Sequence, residues 1–220
     1  MDALIPYTTW VRQFKAPPPG KLYFLHGGDT VFRLSLSAAA YVLLNGVPLT
    51  LVDGTNRFDV YYIAEFARKV TSGRVGRIPA APESLLDNIF ISRAFTCYQM
   101  EALVTDRLPE FVRKVQSPVV IIFGLLDTFY DEQAPLFEVR ESLRRITTAL
   151  LQLKQEGISL LLASRDVRPA SKGRDGLFPE LAAMMDRVFS IRDEEGRLWV
   201  EQKFGPGRVA GRTVKKRNQP

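Results

Sequence analysis

One cysteine and one histidine, Cys97 and His26, occur in the 220 residues. A single thiol forms no internal disulfide, so the expected compartment is reducing and cytoplasmic. The same scarcity excludes a zinc cluster of the Cys/His kind, and no metal or other cofactor is expected. Long apolar runs are missing too: SPVVIIFGLL at 117–126 falls far short of the ~20 residues a bilayer-spanning helix needs, so no membrane partner is expected. The opening MDALIPYTTWVRQF carries an acid at its second position and lacks the basic region and long apolar core of a secretion signal. Finally, no Asp or Glu occurs between 203 and 220, where Lys203, Arg208, Arg212, Lys215, Lys216 and Arg217 stand. These six cations match the whole chain's net charge of +6, so the remainder is close to neutral. Such a tail binds nucleic acid in some proteins and only improves solubility in others.

What is present is a globular composition, 46% hydrophobic and 25% charged, in a chain long enough for one domain. We divide it into a lead-in (1–20) closed by the proline-rich APPPG, a core (21–202) and the basic tail (203–220). Apolar strand runs recur at 22–25, 47–54, 88–95, 117–126 and 158–164. Between them lie helix-patterned segments at 35–44, 57–70, 98–115 and 140–155, with an irregularity expected near Pro109. Strands alternating with helices long enough for crossovers predict an α/β fold with a mostly parallel central sheet and helices on both faces. RDEEGRLWVEQKF at 192–204 adds a C-terminal β-hairpin turning at Glu195-Gly196.

Five stretches in order carry a resemblance: LYFLHGGDTVFRLSLSAAAYVLLNG, LTLVDGTNRF, DNIFISRAFTCYQMEALV, PVVIIFGLLDTFYDE and RRITTALLQLKQEGISLLLASRDV. Over residues 22–200 the chain resembles the core domain of the RecA-like recombinases, in particular the archaeal and eukaryotic strand-exchange branch and its non-catalytic paralogs. The resemblance implies a P-loop NTPase fold without the family's N-terminal helical DNA-binding domain.

It also implies a place for each catalytic part. The family's phosphate loop reads G-x-x-x-x-G-K-[ST], with backbone amides around the phosphates, Lys neutralising them and a hydroxyl on magnesium. Counted from Gly27, with Gly28 following, the second glycine is Phe32, the lysine is Arg33 and the hydroxyl position is Leu34. Asp29 adds a negative charge where phosphate would sit. The general-base position is Thr55, which takes no proton from water at neutral pH, beside the retained strand-end acid Asp53. The magnesium-orienting acid is replaced by Phe123. The family's polar sensor falls near Arg165 or Asp166. The expectation is a pseudo-ATPase with no catalytic residues. Only Ser35 and Asp127 stand near enough to act as substitutes in a rearranged site.

Plainer readings stand beside these. Gly27 and Gly28 serve equally as a strand-to-helix turn, and Asp53 as an acid tying down the turn after its strand. Cys97 reads as buried. Asp127, Asp131 and Glu132 read as a solvated strand-end loop. Ser37, Asp53 and His26 lack a G-x-S-x-G elbow, which excludes a serine hydrolase. In the family, the loop matching 165–174 contacts single-stranded DNA; here it offers Arg165, Arg168, Lys172 and Arg174, or else a charged, solvated linker. Tyr7, Trp10, Val11 and Phe14 pack on the chain's own core, or Trp10 or Phe14 anchors on a neighbouring copy. The functional expectation is an inactive recombinase paralog that binds DNA, a RecA-like partner protein or further copies of itself. The alternatives are a protein-only adaptor and a divergent ATPase.

Overall fold

The computed structural model describes residues 3–72, 85–130, 134–166, 173–194 and 197–203. Eight strands form one sheet: β1 (Ala3–Pro6), β2 (Leu22–Gly27), β3 (Leu49–Asp53), β4 (Ile89–Arg93), β5 (Val119–Phe123), β6 (Ser159–Arg165), β7 (Arg187–Glu194) and β8 (Arg197–Lys203). Their order is β1-β8-β7-β2-β6-β5-β3-β4. All contacts from β7 across to β4 are parallel. β8 runs antiparallel to both β7 and β1. The fold is therefore α/β, with a mixed, largely parallel sheet.

The central strands are apolar on both sides because helices cover both faces. On one face lie α1 (Tyr7–Arg12), α2 (Thr30–Leu44) and α3 (Val60–Thr71), packed on Leu25, Leu51, Ile121, Phe123 and Leu161. On the other lie α4 (Cys97–Ala102), α5 (Leu108–Lys114), α6 (Leu125–Phe129), α7 (Leu136–Gln155) and α8 (Leu177–Ala183), packed on Phe24, Val52, Val120, Ile122 and Leu162. The period of two along each strand sends alternate side chains to the two layers.

Several boundaries differ from expectation. α2 begins at Thr30 rather than Ser35, because Val31, Phe32 and Leu34 already belong to its sheet-facing stripe. α7 starts at Leu136, directly after Pro135, whose extended backbone sets its first turn. Between α4 and α5 the chain forms a π-helical turn, Leu103–Arg107. Pro109 explains it: with no amide hydrogen and a ring pressing on the turn before it, proline excludes an ordinary α-helical bond there. β7 begins at Arg187, so the segment before the expected hairpin is itself a strand, with Val188 and Phe189 buried beside β2. Glu195 and Gly196 lie outside the described residues.

Residues 3–15 are part of the sheet and its covering layer. β1 pairs with β8, and Trp10, Val11 and Phe14 are buried in the same cluster as α2. Trp10 packs against Phe14 and Phe189, with ring centroids 5.0 and 5.6 Å away. Of the two readings of these aromatics, the structure has them on the chain's own core.

Candidate functional site

In open α/β sheets the ligand crevice lies beyond the carboxyl ends of the strands, beside the first strand-to-helix turn. Here that turn is short. β2 ends at Gly27 and α2 begins at Thr30, leaving only Gly28 and Asp29 between them. The spacing counted from Gly27 thus forms no eight-residue loop, and Phe32, Arg33 and Leu34 lie on the helix. Phe32 and Leu34 are buried, while Arg33 is exposed with its guanidinium 5.9 Å from the Tyr62 ring centre. The amides of Val31 and Phe32 donate to the carbonyls of Gly28 and Asp29, at 3.1 and 3.3 Å. The buried Ser35 hydroxyl donates to the Val31 carbonyl at 2.8 Å and serves its own helix.

Above the turn, Phe32 meets Phe123 edge to face with ring centroids 5.2 Å apart, and both are fully enclosed. Edge-to-face rings at this distance make a favourable, well-specified contact. The positions matched to the second glycine and to the metal-orienting acid are therefore each other's packing partners.

Asp53 is also buried, and its carboxylate is saturated. Oδ1 accepts from the amides of Thr55 and Arg57 at 3.0 and 3.2 Å and from the Thr55 hydroxyl at 3.3 Å, and Oδ2 accepts from the Phe58 amide at 2.9 Å. This is an acid holding the loop after β3, the plainer of its two readings. Replacing Asp53 with Ala removes the acceptor for three amides. The expected loss is about 2–3 kcal/mol in urea unfolding, with Asp53→Asn intermediate because one acceptor oxygen remains.

Around the turn runs a chain of ion pairs. Arg57 lies 3.5 Å from Asp29, and Arg165 is 3.9 Å from Asp29 while donating from Nε to Asp127 at 2.9 Å. Asp29 thus places a carboxylate between two arginines. Next to this chain, His26 Nδ1 lies 2.8 Å from Asp166 Oδ1, with the Phe178 ring edge-on at 4.9 Å. His26 and Ser164 are register partners on β2 and β6, on the layer covered by α8. His26 Nε2, Ser164 Oγ and Asp127 Oδ2 are buried without hydrogen-bond partners. The acid excess is felt nearby: burial first, then the charges of Asp127 and Asp166, push the Tyr130 phenol up to about 12. Four carboxylates, Asp29, Asp53, Asp127 and Asp166, stand with Arg57 and Arg165 at this end of the sheet.

The loop read as DNA-facing divides. Arg165 is 39% exposed at its side chain but committed to acids. Arg174 is corrected: only 3% exposed, it donates Nη1 to the Phe129 carbonyl at 2.5 Å and Nη2 to the Ala134 carbonyl. A guanidinium enclosed this way ties down two chain segments and does not reach a phosphate backbone. Arg168, Lys172, Lys215, Lys216 and Arg217 lie outside the described residues, as do Asp131 and Glu132. Sequence reasoning missed Arg57 and the Asp127–Arg165 pair, and no spacing signal connects residues 38 positions apart.

Among the described residues no three His, Cys, Asp or Glu side chains group to hold a metal, and no helix is long and apolar enough to cross a membrane. No protein-family model matches the chain, and comparison with curated proteins returns no match.

Proposed function

We propose that the chain is a RecA-like ATPase core whose phosphate site has been closed, and that it works by assembly on DNA or on a partner recombinase, not by turnover. One observation carries the first half: Phe32 and Phe123, at the positions matched to the second glycine and the metal-orienting acid, pack on each other in the core. The Asp29 carboxylate between Arg57 and Arg165 supports it, since a carboxylate there answers the charge that a phosphate would otherwise answer. The alternation of strands and helices, with the turn-bearing β2 at the middle of the sheet, agrees with the resemblance. Closing the site while keeping the sheet leaves a rigid body suited to pairing with an active relative.

The expected result is no heat of binding and no phosphate release when the full chain is titrated with ATP and magnesium. Turnover that disappears in Arg33→Ala would make it a working enzyme and defeat the proposal. The DNA half is tested by titrating single-stranded DNA at about 50 and about 200 mM salt, where a phosphate-dominated contact weakens steeply. Absence of binding at both, with capture of a RecA-like partner intact, favours the protein-only adaptor.

A further inference from the structure

We infer that the groove between α1, α2 and α3 is a second binding site, one that takes single-stranded nucleic acid; the inference rests on the DNA-binding reading above. The groove encloses about 540 Å³ and is walled by Tyr7, Tyr41 and Phe66 together with Arg12, Lys15 and Lys69. A cavity of this volume holds a ligand of nucleotide size. No Asp or Glu lines it. Lys69 has Glu65 at 2.7 Å, while among the described residues no acid pairs with Arg12 or Lys15. Lys15 instead lies 5.5 Å from the centre of the Tyr41 ring.

Three cations and the exposed Tyr7 ring, above the half-buried Phe66 and the buried Tyr41, supply the two ingredients of sequence-tolerant single-strand binding. Cations answer the phosphates, and ring faces and edges receive the bases. The loop at 165–174 lacks the aromatic half of that pair, and its Arg174 is buried. The lining residues all come from helical segments, so the groove walls offer no strand for main-chain pairing; the free sheet edge, β1, ends at Pro6 just before Tyr7. Tyr7 stands at the rim, 37% exposed, with room for a base against it.

The test follows fluorescence anisotropy of a labelled thymidine oligonucleotide with the full chain. Three variants are compared: Arg12→Gln with Lys15→Gln, Tyr7→Ala, and Arg168→Gln with Lys172→Gln. The groove double variant is expected to lower the salt slope of log affinity by ~1.4, at ~0.7 per lost phosphate contact. Tyr7→Ala should weaken binding about fivefold or more if a base rests on it. Thermal melts identify any variant that has lost its fold, in which case Lys69→Gln, on the exposed side of α3, takes its place. If the wild type binds and the groove variants bind equally well, the groove inference falls while the DNA reading stands. A wild type that binds no oligonucleotide overturns both. Binding of polyglutamate without binding of the oligonucleotide makes the groove a protein contact and overturns the inference as well.

Discussion

Replacing Trp10 with Ala is expected to lower stability by about 3–5 kcal/mol, the usual cost of emptying a fully buried tryptophan site. The indole is completely enclosed and meets Phe14 and Phe189 at once, so its loss opens a void between the N-terminal helical segment and β7, about 180 residues further along the chain. At ~2–4 °C per kcal/mol for a chain of this size, the melting temperature should fall by roughly 6–20 °C. The measurement also separates two roles. If the segment holding Trp10 were a linker strap for a neighbouring copy, the isolated chain would melt unchanged and only assembly would suffer. An early melt at every protein concentration is the outcome expected from its burial against Phe189.

The second large effect is expected at Gly124, which ends β5 and caps α6. Its φ of +65° belongs to the left-handed region, where a side chain costs about 1–2 kcal/mol. Space forbids one as well: a Cβ there would stand 2.0 Å from the methyl group of Thr55. Overpacking of this kind adds about 1–3 kcal/mol, so Gly124→Ala should cost about 3 kcal/mol or more in denaturant unfolding. Thr55→Ser, which deletes the offending methyl, should recover part of the loss in the double variant. A Gly124→Ala protein as stable as the wild type would mean that the loops after β3 and β5 do not lie this close. That closeness sets Thr55, at the position the resemblance matches to the general base, against the backbone of Gly124.

Much of this architecture was legible in the sequence, because buried parallel strands announce themselves. VVIIF is an unbroken apolar run and SLLLASR is built on the apolar LLLA, each flanked by turn residues, and they became β5 and β6. Pro109 announced a helical irregularity because its missing amide acts locally. Asp53 followed from a short-range rule, an acid at a strand end accepting from the next few amides. Other features depended on partners that sequence cannot supply. The residues from Thr30 to Leu34 suit a loop or a helix, and packing of Phe32 on Phe123 decides for the helix. Arg174 looks like any loop arginine until the carbonyls of Phe129 and Ala134 close around it. The aromatic groove draws on residues from 7 to 70, whose convergence no periodicity foretells.

The pairing of β1 with β8 has a consequence for manufacture. Phe189 is synthesised about 180 residues after Trp10, roughly 10–35 s later at ordinary elongation rates. Throughout that interval the indole lacks its contact with Phe189, and β1 lacks the strand it pairs with. The sheet therefore closes only after β8 has been made, and nascent chains stalled before β8 are the species a chaperone would have to guard.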